Sequence, residues 1–287
     1  MLGNGSAGPA SVAPERGWRL LRSGDAEGAR NMALDEAIFE QVASGGCPPT
    51  LRLYGWQPPA VSLGRFQELD GSLDLAEIER RGYGLVRRPT GGRAILHDDE
   101  LTYLVAVREQ DLEQGGTLHG SYRQISRGLE AGLALLGLPS AMGTERVGPV
   151  ADRSLAAVCF AKAARCDLTS AGRKVVGSAQ MRAKGAILQH GSIPLHLRSE
   201  DVLAVMPGPA GDAGLLRRRA AGIADVLGRD VSREELAEAV IAGFAQALGL
   251  SLVPGSLTPT EDQRASELVA TKYGTPAWTQ DGLPPSP

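Results

Sequence analysis

The reactive side chains of this 287-residue chain are few: three cysteines (Cys47, Cys159, Cys166), four histidines and four lysines. Cys159 lies in LAAVCFAKAARC. A cysteine in such a setting fits a small buried hydrophobe; it becomes a nucleophile when a nearby cation favours its thiolate. Lys174, fifteen residues on, is the candidate cation. Lysine occurs only at 162, 174, 184 and 272, and arginine supplies the other basic residues. A lysine kept inside the small-residue stretch GRKVVGSAQ therefore stands out, although a lone lysine is ordinarily a surface residue.

Two further constellations surround that pair. VRRPTGGRAILHDD (Val86 to Asp99) runs a strand into Pro-Thr-Gly-Gly and out into another strand. Adjacent glycines in a strand pattern add no packing, so Gly91 and Gly92 predict a bulge or a ligand lying against bare backbone, a plain hairpin turn being the simpler alternative. The flanking Arg87, Arg88 and Arg93 suit an anionic ligand. AGRKVVGSAQMRAKGAILQHGSIP (Ala171 to Pro194) is a strand pair in which alternation puts Lys174, Val176 and Ser178 on one face. His190 closes it before Gly191-Ser192 and reads as well as a structural histidine. Other chemistries are poorly served. There is no Cys-x-x-Cys, Cys159 and Cys166 have no histidine at ligand spacing, and no metal is expected. His97 with Asp98 and Asp99 is too contiguous for a serine-type triad, and neither a Gly-x-Ser-x-Gly elbow nor a Walker A loop is present.

The elements that must position these groups are legible as a coarse pattern. Strands are predicted at Trp18 to Arg22, Leu51 to Tyr54, Ala60 to Leu63, Tyr83 to Arg88, Ala94 to Leu96, Leu101 to Val107, Lys174 to Ala179 and Ala186 to Gln189. Helices are predicted at Ala29 to Ala43, Leu73 to Arg81, Gly120 to Leu136, Ser232 to Leu248 and Glu261 to Tyr273, with Ser232 and Glu235 in capping-box spacing. Met206 to Leu216 reads as a surface loop or a partly ordered excursion. Without regular β-α-β alternation, the fold class is α+β, a mixed or antiparallel sheet flanked by helices. Residues 1–14 read as a flexible tail and 15–280 as a single catalytic domain.

Composition narrows the function classes. The chain is 43% hydrophobic and 22% charged, with a net charge of −3. That is core enough for an enzyme, without the basic face of a nucleic-acid binder or the apolar run of a membrane span. The first residues lack the charged and apolar regions of a secretory signal, so a cytoplasmic, reducing compartment with free thiols is expected.

Taken in order, RRPTGGRAILHDDELTY, a Cys-Phe pair, GRKVVGSAQ and KGAILQHGSIPL resemble the lipoate–protein ligase and octanoyltransferase superfamily, whose catalytic domain is shared with biotin–protein ligases. The resemblance runs from NMALDEAIFEQV to KYGTPAW and is strongest to the LipM-type octanoyltransferases. It implies transfer of an octanoyl group from octanoyl-acyl carrier protein to a lysine of a lipoyl-domain protein, such as glycine cleavage H protein or a 2-oxoacid dehydrogenase subunit. It places the acyl-thioester on Cys159 and its supporting ammonium on Lys174. It implies no cofactor, and substrate-binding roles for Arg88, Gly91, Gly92, His97, Gly177, Ser178 and His190. The chain departs from the family's pattern after the cysteine, where Ala163-Ala164-Arg165-Cys166 stands. The alternatives are an ATP-dependent lipoate–protein ligase, which needs no cysteine, and a carrier-binding module without catalysis.

Overall fold

Apolar residues at almost every position of LTYLVAV leave no polar face, and this segment is the middle of a sheet covered on both sides. The computed structural model describes residues 16–143, 167–207 and 212–282. Its strands are β1 (Arg16–Ala26), β2 (Thr50–Trp56), β3 (Ala60–Leu63), β4 (Gly84–Arg87), β5 (Ile95–His97), β6 (Glu100–Arg108), β7 (Ala141–Met142), β8 (Leu168–Ser170), β9 (Arg173–Ala183), β10 (Ala186–Pro194) and β11 (Leu250–Pro254). Its helices are α1 (Gly28–Ala43), α2 (Leu75–Arg80), α3 (Leu118–Leu135), α4 (Ser199–Val205), α5 (Ala213–Arg219), α6 (Ile223–Leu227), α7 (Arg233–Leu248), α8 (Pro259–Leu268) and α9 (Pro276–Thr279).

The large sheet has the order β11-β1-β2-β6-β10-β9-β8-β7. β1 is parallel to both its neighbours, and the other pairings are antiparallel. The mixed α+β architecture expected from the sequence is the one observed. One face of β6 (Leu101, Tyr103, Val105, Val107) joins a core with Ile125 and Leu129 of α3 and Val240 and Phe244 of α7. The other face (Leu104, Ala106) packs with Met32, Ile38 and Phe39 of α1. A small sheet, β4-β3-β5, carries a third core beneath α2, α4 and α5. Among the described residues no helix is long and apolar enough to cross a membrane.

Three expectations need correction. The Pro-Thr-Gly-Gly segment is not a hairpin turn: β4 and β5 do not pair with each other but flank β3, one parallel and one antiparallel to it. The segment therefore crosses the end of β3. Met206 to Leu216 is not all loop, because Asp212 accepts from the Gly214 amide and starts α5. Alternation in GRKVVGSAQ is also broken. Leu168 pairs with Val176 while the next residue, Thr169, pairs with Lys174, so Val175 is an extra residue in β9. Val175 and Val176 both join the α3/α7 core.

Candidate active site

That extra residue decides where Lys174 points. Gly177, Ala179, His190 and Ser192 share the sheet face occupied by Thr102 and Leu104. Lys174 is three residues before Gly177, so in a regular strand it would project into the opposite core. The bulge at Val175 restores it to the face with Gly177, where it borders a cleft of about 500 Å³. Bulges of this kind commonly re-aim a side chain beside a functional site.

The same cleft gathers most of the residues singled out in the sequence: Lys174, Arg88, Gly92, His97, Gly177, Ser178 and His190. Met32, Tyr54, Trp56, Ser62, Ile95 and Thr102 complete much of its wall. Gly91 stands beside it, with its carbonyl accepting from Arg88. Cys159 and Cys166 lie outside the described residues. The strands flanking that part of the chain, β7 and β8, are paired, and the Gly143 amide donates to the Asp167 carbonyl (3.0 Å).

Lys174 is 1% exposed. Its Nζ lies 2.9 Å from Oδ2 of Asp167, which is also buried. Ser178 points to the α3/α7 side, where its hydroxyl meets that of Tyr103 (2.7 Å); its backbone contributes to the cleft.

Two hydrogen-bonded groups stiffen the rest of the wall. His190 lies between Asp35 (Nδ1 to Oδ2, 2.9 Å) and the Thr90 hydroxyl (Nε2 to Oγ1, 2.7 Å). Asp35 also accepts from Arg52 and Tyr54. Burial pushes the His190 pKa below its ordinary value, outweighing the pull of Asp35, with Arg88 and His97 acting in the same direction as burial. The imidazole is thus neutral at pH 7; Nδ1 donates to Asp35 and Nε2 accepts from Thr90. His97 bridges Glu100 (2.8 Å) and Ser62 (2.8 Å) and stacks on Trp56 at 4.0 Å. Burial raises the Glu100 carboxyl, but His97 and the hydroxyls of Ser192 and Thr102 overcome this and hold it below the usual range. The cleft therefore combines apolar surface with fixed polar groups, the usual make-up of a small-molecule site.

The arginines are committed differently from the sequence reading. Arg88 donates to the carbonyls of Ser62, Gly91 and Arg93, bracing the Gly-Gly segment from inside. Arg87 donates to the carbonyls of Gly64, Gln67, Trp278 and Gln280, tying the loop after β3 to the C-terminal segment. Gly92 has φ +99°, and a Cβ there would stand 2.6 Å from Arg88 Nη2. Of the cleft's surroundings, sequence reasoning missed Asp167, Asp35 and Glu100. Asp167 carries no periodic or motif signal, since its contact with Lys174 depends on the bulge.

Comparison with known proteins agrees with this geometry. Residues 27–245 match the family model described as the lipoyl protein ligase A/B catalytic domain. The octanoyltransferase LipM of Symbiobacterium thermophilum is 48% identical over 271 residues, covering 92% of this chain and 98% of that one. Among solved structures, a lipoate-protein ligase A bound with ATP superposes with a TM-score of 0.77 at 28% identity, covering 92% of this chain and 99% of that one. The bipartite lipoate protein ligase of Thermoplasma acidophilum, studied with its E2 lipoyl domain, also gives 0.77 at 28% identity over 93% and 98% of the two chains.

Proposed function

This chain belongs to the lipoyl protein ligase A/B catalytic-domain family, alongside the LipM octanoyltransferases, and on that premise we propose that it is an octanoyltransferase of lipoate biosynthesis. The observation that carries the reading is a buried ammonium, Lys174, on the wall of a largely apolar cleft in a chain 48% identical to a LipM octanoyltransferase. Residues 15–280 act as one catalytic domain. The donor is octanoyl-acyl carrier protein, and the acceptor is a lysine of a lipoyl-domain protein, such as glycine cleavage H protein or a 2-oxoacid dehydrogenase subunit. The setting is the cytoplasm, where a catalytic thiol stays reduced.

The chemistry is two acyl transfers through Cys159. In the first, the Cys159 thiolate attacks the donor thioester carbonyl. The new carbon–sulfur bond forms as the bond to the carrier sulfur breaks, and the carrier thiolate takes up the proton that Cys159 gave up. In the second, the neutral acceptor amine attacks the enzyme thioester. The carbon–nitrogen bond forms, the bond to Cys159 breaks, and the proton lost by the amine returns to the thiol. Lys174 stabilises the thiolate and the charge developing on the carbonyl oxygen. The acyl chain lies against the backbone of Gly92 and Gly177, and Arg88 with Gly91 sets the shape of that segment. His97, Ser178 and His190 fix the surrounding wall.

The competing reading, an ATP-dependent ligase, draws on the likeness to lipoate-protein ligase A bound with ATP. One experiment separates the two. Incubation with octanoyl-acyl carrier protein should add one octanoyl mass to the wild-type chain and to Cys166→Ser, and none to Cys159→Ser. The adduct should pass to a lipoyl domain in excess chelator without ATP. ATP-dependent use of free octanoate or lipoate, with no adduct from the carrier, would establish the ligase instead.

A further inference from the structure

We propose that Asp167 is a positioning residue of the transfer reaction, holding the Lys174 ammonium as a fixed cation at the cleft wall through their buried ion pair. The proposal rests on the reading above, in which Lys174 serves acyl transfer.

The geometry is that of a clamp. Asp167 Oδ2 is 2.9 Å from Lys174 Nζ, and the two side chains are 3% and 1% exposed. The other carboxylate oxygen accepts the Ser178 amide at 3.2 Å, so the carboxylate is tied across β9 on the far side of the bulge from Lys174. The Asp167 backbone is fixed as well, its carbonyl accepting from Gly143. Lys174 is held from behind: it pairs with Thr169, and its carbonyl accepts the Ala221 amide at 3.0 Å. A lysine stem is long and freely rotating, and nothing in its own covalent structure fixes the ammonium. Here the backbone is anchored on two sides and the tip is gripped by a carboxylate that does not itself border the cleft. Buried ion pairs add little net stability over apolar packing, so stability alone is a poor reason for this one. Fixed placement of a cation where negative charge develops is a sufficient reason.

The test is a double-mutant cycle on the full chain, read as transfer from octanoyl-acyl carrier protein to a lipoyl domain. Asp167→Asn keeps the shape and an acceptor for Ser178 but removes the charge. Its kcat should fall about 100-fold while KM for the carrier changes by less than about threefold, and Asp167→Glu should recover part of the loss. In a Lys174→Met background the same Asp167→Asn change should cost less than about twofold, because a residue acting through Lys174 has nothing left to act on. Each single variant leaves one buried charge unpaired, so kcat is taken per folded molecule, and where Asp167→Asn folds poorly the cycle is run with Asp167→Glu in its place. Wild-type kcat in folded Asp167→Asn overturns the proposal, as does a further large loss in the double variant. A wild-type chain that transfers no octanoyl group overturns the reading above and this proposal together; a wild-type chain that transfers without coupling between the two residues overturns this proposal alone.

Discussion

The two faces of the large sheet are built from the same strands and are opposite in character. Toward α3 and α7, β6 and β10 present Leu101, Val105, Val107, Ile187 and Ile193, and the helices meet almost backbone to backbone. Cβ atoms added at Gly128, Gly132 or Gly243 would overlap the facing helix. Toward α1 the same strands present Thr102, His190 and Ser192, whose polar atoms are satisfied by Trp56, Asp35 and Glu100. One face is packed mostly with aliphatic side chains, its few polar groups (Tyr103, Ser178 and Gln189) bonded to one another; the other keeps a cleft open by bracing it with hydrogen bonds. The contrast teaches that stability and chemistry can be assigned to opposite sides of one strand, residue by alternate residue.

The comparison breaks most visibly on the packed side. Gly243→Val should force α7 away from Gly128 and Gly132, costing about 3 kcal/mol or more, while activity per folded molecule stays near wild type. Urea unfolding paired with transfer rates measures both; a loss of specific activity equal to the loss of stability would show the faces to be coupled. On the cleft side, Gly92→Val should cost about 1–2 kcal/mol from its positive φ alone. It should also dislodge Arg88 and slow octanoyl transfer at least about tenfold, a transition-state loss of about 1.4 kcal/mol. Gly91→Ala, with open space around its Cβ, should leave transfer within about twofold. Equal effects of the two would mean that the bracing of this segment does not matter to the cleft.

The smallest effect is a pH dependence confined to the polar face. His190 has its folded pKa depressed by burial, so its neutral form contributes stability that is fully present above its unfolded value of about 6.5 and is lost as pH falls from there through the folded value. His190→Asn, which keeps an N–H for Asp35, should flatten the fall in urea midpoint between about pH 7 and 5.5. An unchanged slope would assign the acid sensitivity to another group.

Much of this was readable from residue order, and the exceptions share a cause. The β6 run and the α7 pattern gave their elements because local periodicity and capping carry them. The gathering of Lys174, Gly92, His97 and His190 was legible because three sequence blocks pointed to one site. The crossing of the Gly-Gly segment over β3 was not, since β3 inserts between two strands that are neighbours in sequence. Asp35 with His190 is a pairing across 155 residues, invisible to any local pattern. Arg87 and Arg88 looked like ligands for an anion because sequence shows charge and not burial; five carbonyls from distant segments were waiting for Arg87.

The extra residue at Val175 gives this strand a reading frame. Substituting Val175 by another apolar residue changes volume alone, and the ladder on either side keeps its phase. Removing it would let β8 and β9 pair without interruption and leave Lys174 two places before Gly177, still on the cleft face. Inserting one residue beside it would instead turn every side chain before Gly177 by half a pleat, sending the Lys174 ammonium toward the aliphatic core beneath α3. Glycine-to-glycine spacing in GRKVVG is thus a quantity the site depends on, and a single-codon insertion there would be more damaging than any single apolar replacement of Val175.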